Sequence, residues 1–329
     1  MTQPLALTLG DPAGVGPIIA TRAWEQRDQL QRPFFLVGDL DQIRRAGGDA
    51  TEIKSPSEAE TVFERSIPVF HIPCSPTDAG RPNPQTAPAI ISWIETAVAH
   101  VNAGEAAAVV TNPINKALLY DQGFDFPGHT EFLAHLLQGD AAAPQRPVMM
   151  LVGGGLRVAL ATIHMPLAGA AKRISRDLLV EVGQIVATDL RQNFGVAAPR
   201  LAFAGLNPHA GEGGALGREE IEIINPAAEA LRSNGVNISD AQPGDTVFHH
   251  AREGAFDAVI AMYHDQGLIP VKTLDFWRGV NVTLGLPIIR TSPDHGTGYD
   301  AAAKRDARPD SLIAALNLAS DMAERRSAA

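Results

Sequence analysis

The chain has 329 residues, 45% hydrophobic, 19% charged and only 5% aromatic, so its core must be built mainly from Ala, Val, Leu and Ile, which suits strands packed under helices. A formal net charge of −10 argues against a nucleic-acid or anionic-membrane partner, because both need a basic footprint. Cys74 is the single cysteine, which rules out an intramolecular disulfide framework and a cysteine-built metal site.

Strand-like and helix-like segments alternate along the whole chain, without a repeat or low-complexity tract. Residues 5–9 read as a strand, residues 10–16 (GDPAGVG) as a Gly/Pro turn, and Pro17 as the first position of a helix. Residues 34–37 form a second strand ending in Gly38-Asp39, and the Pro-rich, polar stretch 73–88 reads as a long loop. Residues 90–103 are helical in character, and 106–110 form a strand running into Thr111-Asn112-Pro113. Thr130 is expected as the N-cap of a helix starting at Glu131. Gly153-Gly154-Gly155 precedes a strand and therefore reads as a turn.

Three hydrophobic stretches then end on a histidine: residues 157–164 (RVALATIH), 200–209 (RLAFAGLNPH) and 257–264 (DAVIAMYH). Each begins as a short apolar run of the kind found in strands buried on both faces. Each is followed by a breaker or loop signal, at Pro166, Gly211 and Gly267. Ligands of open α/β sheets bind beyond the carboxyl ends of the strands. His164, His209 and His264 delivered there could hold one divalent metal and leave positions open for substrate. Residues 281–286 and 288–291 are short β-like pieces, followed by a Gly-rich turn and a final helix near 311–325.

The alternation implies an α/β fold of two domains, with mostly parallel sheets, flanking helices and right-handed crossovers. The expected division is an outer domain of residues 1–125 plus 286–329 and a metal-binding, dimerising domain of residues 126–285. The N-terminus, MTQPLALTLGDP, lacks the basic and apolar regions of a signal peptide, and no run of about 18 apolar residues occurs. A cytoplasmic location off the membrane is expected.

GDPAGVG sits where a dinucleotide fingerprint would, but its glycine spacing is not G-x-G-x-x-G. Gly128-His129-Thr130 opens a helix, a position that favours an anion or simple capping. Lys272, Asn281 and Arg290 follow the third histidine in loops and β-like segments, and Lys and Arg are natural partners of phosphate or carboxylate. Asp265 could be a further oxygen ligand or a group that orients an imidazole. Asp245, in Pro243-Gly244-Asp245-Thr246, is a candidate general base or a turn-stabilising Asp. His249-His250 reads as ordinary surface.

The strings GDPAGVGP, TNPINK, GHTEFLA, ATIHMPL, LNPHAGEGG, AMYHDQGL and RGVNVTLGLPIIRTSPDHGT resemble the 4-hydroxythreonine-4-phosphate dehydrogenase family of pyridoxal phosphate biosynthesis. They run in order from about Gly10 to Asp300. The resemblance implies a two-domain subunit similar to isocitrate and isopropylmalate dehydrogenases, acting as a homodimer with shared active sites. It implies His164, His209 and His264 as metal ligands, and His129, Thr130, Lys272, Asn281 and Arg290 as contacts to a phosphorylated small-molecule substrate. The segment holding Asp294, His295, Gly296 and Thr297 would lie against the cofactor, NAD or NADP. Two departures bear on the cofactor: Ile18 stands where the family usually has an acidic residue, and DHGTGYDAAAK departs from the family pattern at Gly298, Ala301 and Ala303.

The implied reaction is oxidation of 4-phosphohydroxy-L-threonine to a β-keto acid, which decarboxylates to 3-amino-2-oxopropyl phosphate; Asp245 is the candidate for its base. Nitrogen-rich ligation favours Zn²⁺, with Co²⁺ or Mg²⁺ as alternatives. The competing readings are a dehydrogenase of a 4-phosphorylated sugar acid (erythronate or threonate type) or of a cis-dihydrodiol acid, a three-histidine zinc hydrolase, and a non-catalytic metabolite-binding protein.

Overall fold

The computed structural model describes residues 3–120, 129–137 and 146–328. The chain divides into two compact units, Met1–Pro147 with Leu286–Glu324 and Val148–Gly285 with Arg325–Ala329. It is an α/β protein in which helices flank mostly parallel strands.

In the first unit, β1 (Leu5–Thr8), β2 (Phe34–Gly38), β3 (Ala50–Ile53), β4 (Ile67–His71), β5 (Val109–Thr111) and β12 (Arg290–Pro293) lie in the order β3-β4-β2-β1-β5-β12. Every pairing among them is parallel. β1 and β2 are buried at every position, as their unbroken apolar runs require. The helices are α1 (Gly16–Glu25), α2 (Leu40–Ala46), α3 (Ala59–Phe63), α4 (Ala87–Asn102), α5 (Lys116–Tyr120), α6 (His129–Leu136), α12 (Tyr299–Lys304) and α13 (Asp310–Ala328). α13 runs on at its end into residues counted with the second unit. α4 packs over β1 and β2, where Trp93 is fully buried and its indole N–H donates to the Ile72 carbonyl at 3.0 Å. α4 begins three residues before the expected start because Pro88 fits a first turn, where its missing N–H is not needed.

Asp39 caps α2 by accepting from the Gln42 N–H at 3.0 Å, and its second oxygen accepts from the Cys74 N–H at 2.8 Å. Burial, and then this carboxylate, push the half-buried Cys74 thiol up to about 12. α6 begins at His129, so Thr130 lies within the helix and is not the N-cap of one starting at Glu131. The Gly128 position of that motif falls outside the described residues.

The second unit holds β6 (Val148–Gly153), β7 (Leu156–Leu160), β8 (Arg200–Phe203), β9 (Asn237–Ile238), β10 (Ala258–Ala261) and β11 (Val280–Leu284), in the order β11-β6-β7-β10-β8-β9. β6 runs antiparallel to both of its neighbours, and the remaining pairs are parallel. The glycines at 153–155 make the tight β6–β7 connection. The helices here are α7 (Leu167–Arg173), α8 (Arg176–Gln192), α9 (Asn225–Ser233), α10 (Val247–Arg252) and α11 (His264–Leu274). The core joins Val158 and Leu160 of β7, Ala202 of β8, and Val259 and Ala261 of β10 to Leu268 and Val271 of α11.

Two expectations fail at α11. Gly267 is not a loop signal, and Lys272 is not in a loop, because the helix runs through both and through Pro270. Gly267 is needed for packing: a Cβ there would stand 2.4 Å from Leu160 Cδ2, so glycine lets the helix lie directly on β7. Among the described residues, no helix is long and apolar enough to cross a membrane.

Candidate active site

All three strands stop short of their histidines: β7 at Leu160, β8 at Phe203 and β10 at Ala261. The apolar runs continue because Thr162, Ala204 and Met262 remain buried after the strand ladder has ended. Burial, more than strand pairing, sets the length of an apolar run.

His164 and His264 are brought side by side by the parallel β7–β10 register. Leu160 stands opposite Ala261, and the pairing continues past the strands through the Ala161 N–H to the Ala261 carbonyl at 2.8 Å. The buried Thr162 hydroxyl then donates to the Met262 carbonyl at 2.7 Å. Two residues further along each segment stand His164 and His264, their ring centroids 5.5 Å apart. Two imidazoles on one tetrahedral ion, with metal–nitrogen bonds of about 2.0–2.1 Å, would place their centroids roughly 5 Å apart. Asp265 Oδ1 accepts from His264 Nδ1 at 2.7 Å, which leaves Nε2 for coordination, the arrangement usual for metal-bound histidine. The donor chemistry of this pair therefore fits a divalent ion. A cavity of about 430 Å³ lies against it, lined among others by His164, Leu167, Tyr263, His264 and Asp265.

His209 is not brought into that group. Among the described residues, no set of three or more His, Cys, Asp or Glu side chains stands close enough to hold an ion. The exit of β8 is tied to α11 through Gln266, whose Nε2 donates to the Gly205 carbonyl at 2.6 Å and whose Oε1 accepts from the Met262 N–H at 2.7 Å. From there the chain enters a left-handed turn: His209, Ala210, Gly211, Glu212 and Gly213 all have φ between 44° and 79°. The left-handed region costs a non-glycine residue about 1–2 kcal/mol. His164 also has positive φ, at 39°.

Asp245 is exposed in the turn before α10, and its neighbour Gly244 lies against Gln266. Lys272 sits on α11 with its ammonium 5.7 Å from the Phe276 ring centroid. Asn281, the second residue of β11, has a buried Oδ1 without a hydrogen-bond partner. Arg290 opens β12 in the first unit, buried, with Nη2 donating to Thr111 Oγ1 at 2.7 Å. His129 and Thr130 lie at the start of α6. His249 and His250 are exposed on α10, as expected of ordinary surface residues.

The segment from Asp294 to Thr297 joins β12 to α12 and lies on the GDPAGVG turn. The Thr297 carbonyl accepts from the Val15 N–H at 2.8 Å, and the Asp294 N–H donates to Ser311 Oγ at 3.0 Å. His295 Nδ1 is 3.0 Å from the Gly296 carbonyl. Ile18 lines a cavity of about 420 Å³ with Gly14, Arg45, Asp78 and Arg305. Gly298 precedes α12, which contains Ala301 and Ala303.

Sequence reasoning missed two polar groups in this unit. Asp11 of the turn is fully buried and accepts from the Tyr299 hydroxyl at 2.5 Å. Burial raises its carboxyl above the ordinary range, although Tyr299 and the Ala13 N–H oppose the shift, and burial and Asp11 likewise raise the Tyr299 phenol. Asn112, just after β5, is buried with neither amide atom hydrogen-bonded. An Asp in a Gly/Pro turn and an Asn before Pro read as turn residues, so nothing local marks either one.

The family described as pyridoxal phosphate biosynthetic protein PdxA matches residues 29–319. A 4-hydroxythreonine-4-phosphate dehydrogenase of Caulobacter vibrioides is 53% identical, over 99% of each chain. The crystal structure of the enzyme of that name from Klebsiella pneumoniae superposes with a TM-score of 0.85 at 36% identity, covering 98% of this chain and 100% of that one. A terephthalate 1,2-cis-dihydrodiol dehydrogenase from Burkholderia xenovorans is more distant, with a TM-score of 0.65 at 29% identity and 98% of each chain covered.

Proposed function

The chain belongs to the family of pyridoxal phosphate biosynthetic protein PdxA, and from that membership we propose that it oxidises 4-phosphohydroxy-L-threonine with NAD or NADP. The C3 carbinol loses a hydride to the nicotinamide and its hydroxyl proton to a base. The resulting β-keto acid loses CO₂ to leave 3-amino-2-oxopropyl phosphate. The observation that carries this reading is the His164–His264 pair with Asp265 on the second nitrogen of His264, in a chain 53% identical to a relative of that name.

His164 and His264, with His209 as third ligand, would hold a divalent ion, Zn²⁺ first and Co²⁺ or Mg²⁺ as alternatives. Such an ion supplies Lewis-acid polarisation of the oxygen that changes from hydroxyl to carbonyl. Asp265 holds the His264 ring in one tautomer and orientation. Asp245, exposed in the turn before α10, is the proposed base. Lys272, Asn281 and Arg290, with His129 and Thr130, would bind the anionic substrate. The orphaned Asn281 oxygen supports this, since buried polar groups are kept where a partner completes them, and Arg290 adds a buried positive charge. Asp294, His295, Gly296 and Thr297 would face the cofactor, beside the cavity bearing Arg45 and Arg305.

Residues 126–285 would be the metal-binding and dimerising domain of a cytoplasmic homodimer with shared active sites. Its exposed Ile269, Leu274, Phe276 and Trp277 support a covering second copy. The lower identity to the dihydrodiol dehydrogenase favours the phosphorylated amino acid.

The deciding experiment is turnover of 4-phosphohydroxy-L-threonine, 4-phospho-D-erythronate and 4-phospho-D-threonate, each with NAD and NADP, followed at the reduced-cofactor absorbance. A clear preference for either sugar acid would overturn the substrate assignment, and no reduced cofactor with any of them would overturn the dehydrogenase.

A further inference from the structure

The turn that carries His209 is held at its base by two carboxylates, one of them buried. Glu220 opens a π-helical turn (Glu220–Ile224) and is only 2% exposed. Its Oε1 accepts from the Asn207 backbone N–H at 2.7 Å, and its Oε2 accepts from Asn207 Nδ2 at 3.0 Å. Glu219 Oε2 also accepts from that Nδ2, at 2.7 Å. Both donor groups of Asn207 are thus committed to carboxylates two residues before the histidine. The turn folds back over the same carboxylate: a Cβ on Gly211 would stand 2.7 Å from Glu220 Oε2, and the Leu216 N–H closes onto the Gly211 carbonyl at 3.1 Å.

A buried carboxylate is retained only where hydrogen bonds compensate its desolvation. A run of left-handed residues persists only where its surroundings over-determine it. Glu220 meets both conditions at once, and among the described residues it stands in no group able to hold an ion itself. π-helical turns inside helices recur at functional sites.

We propose that Glu220 is the positioning residue of His209. By gripping Asn207 it fixes the base of the left-handed turn, and so sets where the His209 imidazole stands. This rests on the reading that His209 is the third ligand. Glu220 touches neither ion nor substrate and acts only through the turn.

The test is a thermodynamic cycle on ion binding, read without turnover. The full chain is stripped with chelator and titrated with Zn²⁺ by calorimetry and with Co²⁺ by its visible spectrum, for wild type, Glu220→Ala, His209→Ala and the double variant. Glu220→Ala should weaken ion binding by about 10- to 100-fold and shift the Co²⁺ spectrum as His209→Ala does. The double variant should bind no more weakly than His209→Ala alone, because residues acting through one another are not additive. If Glu220→Ala does not fold, Asn207→Ala, which removes the amide half of the grip, is put through the same cycle. Undiminished affinity in the clamp variants, or equal losses with and without His209, would overturn the positioning role while leaving the metal reading intact. A wild-type chain that takes up no ion would overturn both.

Discussion

From β7 and β10 the chain carries two histidines side by side past the strand ends with one more backbone hydrogen bond and one threonine hydroxyl. From β8 it needs a side-chain bridge through Gln266, five left-handed residues and a buried carboxylate. The three segments look alike as sequence. The difference lies beyond the strand end: parallel neighbours can simply continue their register, whereas a residue that must leave the register needs a dedicated support. Ordinary sheet geometry therefore maintains the first two exits, and a few specific side chains maintain the third.

The strongest test removes the paired exits. Replacing His264 or His164 with Ala should reduce turnover to background and leave ion binding substoichiometric. Thermal stability should change by no more than about 0.5 kcal/mol for His164, whose side chain is exposed. Metal analysis and a melting curve check this, and stoichiometric ion with normal turnover would remove that residue from the site. Next in size is Asp265→Asn, which weakens the hydrogen bond holding His264 and should lower ion affinity by about 10- to 100-fold while the protein melts normally.

The register itself is tested by Thr162→Val, which keeps the shape but strands the buried Met262 carbonyl. The expected cost is about 1–3 kcal/mol in urea unfolding. A neutral result would mean that the β7–β10 alignment does not depend on that hydroxyl. The smallest effect is expected at Glu212, exposed and left-handed with φ 44°. Glu212→Gly relieves backbone strain but adds freedom to the unfolded chain, so it should stabilise by at most about 1 kcal/mol. A clear loss of stability would show that the Glu212 side chain, and not only its backbone, supports the turn.

Much of this was legible in the sequence. Unbroken apolar runs marked β1, β2, β7, β8 and β10, and their common endings marked the three histidines. Other features were hidden for physical reasons. Gly267 reads as a breaker because its role, packing on Leu160, is not local. The left-handed turn is only half written in Gly211 and Gly213, since His209, Ala210 and Glu212 carry no signal for it. Glu220 looks like one acid among several in REEIE, and only folding shows that it is the buried one.

The thiol of Cys74 has a practical consequence. With burial and the nearby Asp39 pushing its ionisation up to about 12, little of it is thiolate at neutral pH, and the thiolate is the species that alkylating reagents and peroxides attack. As the chain has no other cysteine, it is close to chemically silent toward maleimides and spin labels as it stands. A cysteine introduced at an exposed point such as position 212 would be the one that reacts. Fluorescence or electron-spin measurements from that single probe could then follow the His209 turn as the ion arrives.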